Sequence, residues 1–199
     1  MQTQAEANTD VELVLRAKAG DADAFGELVR THQRRAVSVA YRLLGNSSDA
    51  ADVAQEAFVR AYRSLDQLDD PQRFSGWFMR VVSNLSLNYR RSRALRMSAP
   101  LDDAATSGDG SRRASTGLRL VSNDQSESSL PRETHDAISS ALEKLPDKQR
   151  LALILFSVEG LPQKEVADIL ECSVELVKWN VFQARQKLRT LLEDHLESV

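Results

Sequence analysis

The chain has 199 residues, with 26 Lys and Arg against 29 Asp and Glu, for a formal net charge of −3. At 42% hydrophobic and 28% charged it carries enough apolar surface for a core, which excludes a disordered chain on composition. A lone Cys (Cys172) excludes an internal disulfide or a Cys-based zinc site, and His at 32, 135 and 195 are too far apart in sequence to suggest a cluster. No apolar run approaches the roughly 18–20 residues of a membrane span. The opening MQTQAEANTD has neither the basic stretch nor the apolar core of a secretory signal. The expectation is a soluble, cytoplasmic protein.

In chain order, helical periodicity dominates residues 9–96. Thr9 followed by Glu12 has the spacing of a capping box, and Gly20 closes that helix. Asp21 caps a second helix whose apolar residues run from Phe25 to Leu43 and stop at Gly45. Ser47 or Ser48 caps a third, with Val53, Ala57, Phe58, Ala61, Tyr62 and Leu65 on its inner stripe. Asp66 to Arg73 reads as a loop broken by Pro71, and a fourth helix runs from Phe74 to about Arg96. Residues 97–131 are rich in Ser and Gly and hold no aromatic residue, so they read as a flexible linker with one apolar patch, Leu118–Val121. Helices are predicted again at 133–144, 147–159, 163–170 and 174–195, with Asp147 and Ser173 as caps. The last two, joined by Glu171-Cys172-Ser173, have the helix-turn-helix pattern. No strand pattern is present. The fold class expected is all-α, with a domain over 9–96, a linker over 97–131 and a second domain over 132–196.

Charge is distributed unevenly. Residues 73–96 hold six Arg and no acid, a local +6 that leaves −9 for the rest of the chain. Residues 47–70 hold six acids against Arg60 and Arg63. An acidic block beside a basic one points to two partners, one of them a polyanion.

Four segments carry a family likeness: GDADAFGELV (20–29), DAADVAQEAFVRAYRSL (49–65), RFSGWFMRVVSNLSLNYRRSR (73–93) and LPDKQRLALILFSVEGLPQKEVADILECSVELVKWNVFQARQKLRTLL (145–192). In this order and spacing the chain resembles the extracytoplasmic-function (ECF) sigma factors of the sigma-70 family, over residues 10–96 and 133–193. The resemblance implies a protein that binds core RNA polymerase and directs it to promoter DNA. Such a protein reads a minus-thirty-five element as duplex and a minus-ten element as melted single strand. It also implies control by an anti-sigma protein that covers both DNA-binding domains.

Each implied task needs its own kind of side chain. Asp49, Asp52 and Glu56 recur at helical spacing with Gln55 beside them, an acidic ridge suited to a basic coiled-coil surface on the polymerase. Asp52, Gln55 and Glu56 match the family's docking positions. For the melted strand, rings, cations and amides are needed. Phe74 and Tyr89 offer rings. Arg73, Arg80, Arg90, Arg91 and Arg93 offer charge, and Asn84 and Asn88 offer base-edge hydrogen bonds. Trp77 and Phe78 read as core by period. The Asp66–Arg73 loop is the family's place for an extruded base. For duplex reading, Val177, Val181, Ala184 and Leu188 are inward by period. That leaves Lys178, Trp179, Phe182, Gln183, Arg185 and Lys187 for the major groove. The chain departs from the family where Glu171 replaces the usual turn Gly, and where Trp179 and Asn180 replace Ser and Arg.

No catalytic constellation, cofactor motif or metal motif is legible, so neither an enzyme nor a cofactor is expected. A helix-turn-helix regulator with an N-terminal sensor would share the C-terminal half, and a purely structural interaction protein would leave the Arg-Asn-aromatic block unexplained. Cys172 reads as a small turn residue rather than a redox thiol.

Overall fold

The computed structural model describes residues 4–98 and 132–196. All regular structure among them is helical, in two bundles of four helices. The first comprises α1 (Gln4–Lys18), α2 (Ala22–Leu44), α3 (Ser47–Arg63) and α4 (Phe74–Ser98). The second comprises α5 (Arg132–Glu143), α6 (Asp147–Leu153), α7 (Gln163–Leu170) and α8 (Val174–Leu196). The span expected to be a linker, with its Leu118–Val121 patch, lies outside the described residues, except that α4 runs on to Ser98.

Local chemistry sets most helix ends. The Asp21 carboxylate accepts from the amides of Asp23 and Ala24, as a cap should. Gly45 ends α2 in the left-handed region at φ 70°, donating to the Tyr41 carbonyl. The Ser173 hydroxyl accepts from the amide of Leu176 and starts α8. Three expectations are corrected. Thr9 is not a cap, because α1 already runs through it from Gln4. α3 is capped by Asn46, whose side chain accepts from the Asp49 amide, and not by Ser47 or Ser48. Pro146, not Asp147, occupies the N-cap of α6 and makes no side-chain cap bond. The loop between α3 and α4 is also more ordered than its composition predicts, forming short 3-10 turns at Leu65–Gln67 and Pro71–Arg73. The helix expected over 147–159 changes at Ile154 into a five-residue π turn that ends before Gly160.

In the first bundle α2 packs on α1, α3 and α4. α2 and α3 both bury small residues, Ala36 and Ala40 on one and Ala50, Ala54 and Ala57 on the other. The face toward α4 is aromatic: Phe58 stacks on Phe78 at 4.4 Å, and Phe74 lies parallel to Phe78 at 5.9 Å. His32 meets Phe74 edge-on, and its Nε2 lies 2.8 Å from Asp10 Oδ2, a buried polar link that ties α1 to α2. Each aromatic side chain so buried contributes on the order of 2–3 kcal/mol. In the second bundle α8 packs on α5, α6 and α7 around Leu151, Ile154, Leu155, Val166, Val177 and Ala184. The two bundles touch each other, α4 against α7, and α2 against α5 and the π turn.

Candidate nucleic-acid interface

The ridge on α3 is present, shorter than expected at one end and longer at the other. Asp52, Gln55 and Glu56 are exposed on one face, with Glu56 paired to Arg60 at 2.8 Å. Asp49 does not join them. Its carboxylate is 20% exposed and turned to α4, accepting from the Tyr89 hydroxyl at 2.7 Å and from Arg93 at 3.1 Å. That bond and burial hold the Tyr89 phenol above its usual range. Val59, one turn beyond Glu56, is 39% exposed and extends the ridge with apolar surface. It borders an open groove lined also by Phe25, Phe58, Tyr62 and Arg63. Tyr62, expected inward, is 51% exposed and meets the Phe25 ring edge-on.

On α4 the aromatic and cationic residues separate. Phe74, expected to meet the single strand, is wholly buried and belongs to the core. The reason is geometric: the Pro71–Arg73 turn delivers Phe74 into the aromatic layer at the first residue of α4. Phe78 is buried as its period implied, and Trp77 is half-buried against the same core. Asn84, Asn88 and Arg91 stand exposed at i, i+4 and i+7, so one face presents two amides and a guanidinium. Asp66 is exposed at the 3-10 turn before α4. Arg73, Arg80 and Arg90 are elsewhere engaged. Arg73 Nη2 lies 3.2 Å from Asp168 Oδ2, Arg80 pairs with Glu171, and Arg90 Nη1 lies 3.0 Å from Asp147 Oδ1. Arg90 also donates to the Glu143 carbonyl at 3.3 Å. All of these partners come from the second bundle.

At the helix-turn-helix, Glu171 adopts φ 52° and ψ 50°, the one non-Gly residue with positive φ among those described. A Cβ there costs about 1–2 kcal/mol, which is why Gly is the ordinary choice. Its amide donates to the Ala167 carbonyl and closes α7. Burial pushes the half-buried Cys172 thiol up, away from the thiolate form that reacts. On α8, Val177, Val181 and Ala184 are buried as expected. Lys178, Trp179, Phe182, Arg185 and Lys187 are exposed, and Gln183 is half-buried. Trp179 and Phe182 stand 51% and 57% exposed, on the same helix face. Arg185 is steadied by a 3.0 Å bond to the Ser157 hydroxyl and by the Phe156 ring beneath its guanidinium. Asn180 is buried, so it lies against the bundle and not in line with the exposed side chains.

Sequence reasoning missed the cross-bundle set. Arg35 Nε donates to Glu159 Oε2 at 2.8 Å, and Arg42 lies 3.3 Å from the same carboxylate. Arg150 is buried, donates from Nη1 to the Leu43 carbonyl at 2.9 Å, and has two nitrogens with no hydrogen-bond partner among the described residues. Burial, reinforced by Arg90, lowers its pKa to about 10. The excess of acids outside 73–96 was a signal that some must neutralise that block, but not which.

A family model for sigma-70 region 2 matches residues 28–96, and one for sigma-70 region 4 matches residues 135–188. The ECF RNA polymerase sigma factor SigW of Bacillus subtilis (strain 168) is 32% identical over 187 residues, covering 91% of this chain and 95% of that protein. The ECF RNA polymerase sigma-E factor of Escherichia coli (strain K12) is 32% identical over 180 residues, covering 90% and 92%. A solved structure of CnrH in complex with the cytosolic domain of CnrY is 29% identical, with a TM-score of 0.66 over 94% of this chain and 98% of that one. With both bundles matched in order and an all-α fold to carry them, the chain belongs to the ECF RNA polymerase sigma factors of the sigma-70 family.

Proposed function

We propose that this chain binds core RNA polymerase through the α3 ridge and directs promoter-selective initiation from the faces of α4 and α8. The observation that carries this reading is the division of α8. Its inner stripe is buried, while Trp179 and Phe182 are exposed and Lys178 and Lys187 stand exposed on the two flanks of that stripe. A helix with that division, entered from a tight turn, suits the major groove, where cations meet guanine acceptors or phosphate and apolar rings meet thymine methyls. Asn84, Asn88 and Arg91 on α4 supply amides and charge for an unpaired strand, and Asp66 stands at the turn suited to an extruded base. Asp52, Gln55 and Glu56, with Val59, form a mixed acidic and apolar strip for a basic polymerase helix. The described residues include no helix long and apolar enough to cross a membrane, in keeping with work in the cytoplasm beside the polymerase. An anti-sigma partner belongs to the same reading, and the similar CnrH is seen in complex with another protein, the cytosolic domain of CnrY.

The test is transcription in vitro with core polymerase on a genomic template. Site-selective initiation that requires this chain is the expected result. Asp52→Lys combined with Glu56→Lys should weaken core binding at least tenfold while leaving the thermal melt unchanged. Unselective initiation, or core binding at the wild-type level in that variant, would overturn the reading.

A further inference from the structure

The outward side of α8 has a pattern of its own. Glu175, Trp179, Phe182 and Gln186 recur at i, i+4, i+7 and i+11, and all four are exposed. They form a stripe that faces away from the buried Val177, Val181 and Ala184. The stripe holds an acid, two rings and an amide, and no cation. The cations stand beside it. Lys178, Arg185 and Arg189 are exposed along one flank at i, i+7 and i+11, and Lys187 is exposed on the other. Arg185 is already fixed in place, by the Ser157 hydroxyl at 3.0 Å and by the Phe156 ring under its guanidinium.

This order of charge matches a helix lying in a groove. Phosphates line the walls of the major groove and meet the flanking cations, while base edges form its floor and meet the centre of the helix. Glu175 repels phosphate but accepts from a base amino group, so it too belongs over the floor. Trp179 and Phe182 need an apolar group there, and the one that the floor offers is the thymine 5-methyl. At 51% and 57% exposure, each keeps more than half of its surface for such a contact. Their spacing sets the register. Three residues along a helix advance about 4.5 Å, close to one base-pair step of about 3.4 Å, so the two rings reach neighbouring base pairs. An exposed pair of rings also suits a protein surface, but cations on both flanks favour a polyanion.

We infer that Trp179, with Phe182 beside it, sets the choice of duplex element by burying thymine methyl groups on two adjacent base pairs. The inference deepens the reading of α8 as the helix that enters the major groove, and rests on it. Trp179 stands at a position where the chain departs from its family, so the preference belongs to this chain. Asn180, the neighbouring departure, is buried and takes no part.

The test uses the full-length chain with core polymerase and a pool of linear duplex templates randomised across the duplex element. Templates retained by the unaltered chain are sequenced. The best is remade with each thymine of that element replaced in turn by uracil, which removes one methyl and no hydrogen-bonding group. The expected element carries thymine on each of two adjacent base pairs. Each uracil change there should weaken open-complex affinity about threefold to fivefold, the effect of one buried methyl. Trp179→Ser should lose the preference for thymine over uracil at one of the two positions, and Trp179→Phe should keep part of it. Circular dichroism confirms that both variants are folded. Equal affinity of the unaltered chain for thymine and uracil templates overturns the inference. So does an unchanged preference in Trp179→Ser, and if that variant instead loses core binding, the stripe faces protein. A retained element that is indifferent to methyl groups removes the inference alone. If no sequence is retained from the randomised pool, the reading of α8 as the duplex reader falls as well.

Discussion

The helices α4 and α8 are close in length, 25 and 23 residues, and both carry aromatic and cationic side chains, yet the folded chain uses these in opposite ways. On α4 the rings turn inward, Phe74 and Phe78 into the core, and three of the arginines end on carboxylates of the other bundle. On α8 the rings turn outward, and the lysines stand in solvent. Composition alone makes the two helices look like equivalent nucleic-acid readers. Their packing distinguishes a helix that buries aromatic rings from a helix that buries Val177, Val181, Ala184 and one amide, Asn180, and no ring. A short turn sets the difference on α4, because Pro71–Arg73 brings Phe74 in at the helix start.

The sharpest way to break this contrast is to delete one ring from each helix. Phe74→Ala leaves a cavity in the aromatic layer and should cost about 3–5 kcal/mol in urea unfolding. Phe182→Ala removes a solvent-facing ring and should stay within about 0.5 kcal/mol of wild type. Equal costs would show that the two helices are not divided in this way. A smaller effect is expected at the DNA faces. Lys178→Ala should lose about 1–3 kcal/mol at a promoter with a minus-thirty-five element, read as a roughly 10–100-fold drop in initiation. Asn84→Ala should leave duplex binding unchanged and reduce permanganate reactivity of the melted region. If Asn84→Ala weakens duplex binding as much as Lys178→Ala does, the division of labour is lost.

The smallest effect is one of pH. Burial holds the Glu165 carboxyl above the usual carboxylate range, against the pull of Arg35 and Arg73. The folded chain therefore binds that proton more tightly than the unfolded chain. Stability from this group is fully present below the ordinary carboxylate pKa and is lost as pH rises through the raised value. Glu165→Gln has no such charge to bury. It should match wild type in acid and exceed it by at most about 1 kcal/mol at neutral pH, measured by thermal unfolding across that window. A variant less stable than wild type at neutral pH would mean that attraction to Arg35 and Arg73 outweighs burial.

Much of the architecture was legible residue by residue. Helical spacing located all eight helices, and Asp21, Gly45 and Ser173 marked ends because a cap acts within one turn of backbone. The stripe Val177, Val181, Ala184 was legible for the same reason: a helix of known period has one inner face. Errors fell where a residue had two locally equivalent fates. Thr9 has the chemistry of a cap but sits inside α1, and Ser47 and Ser48 lost the cap of α3 to Asn46 one position upstream. Asp49 has the spacing of the exposed acidic ridge, yet its carboxylate is turned to Tyr89 and Arg93. Tyr62 has the period of the core but lies at its edge, half exposed beside Phe25.

By itself the sequence determined that its regular elements are helices, where those helices lie, and which family its segments resemble, because periodicity, caps and motif order are properties of neighbouring residues. Only the tertiary structure decided which aromatic rings fill the core and which arginines meet Asp147, Asp168 and Glu171. Those outcomes join positions up to 95 residues apart in sequence, and no local pattern says which of many like charges will be brought within reach.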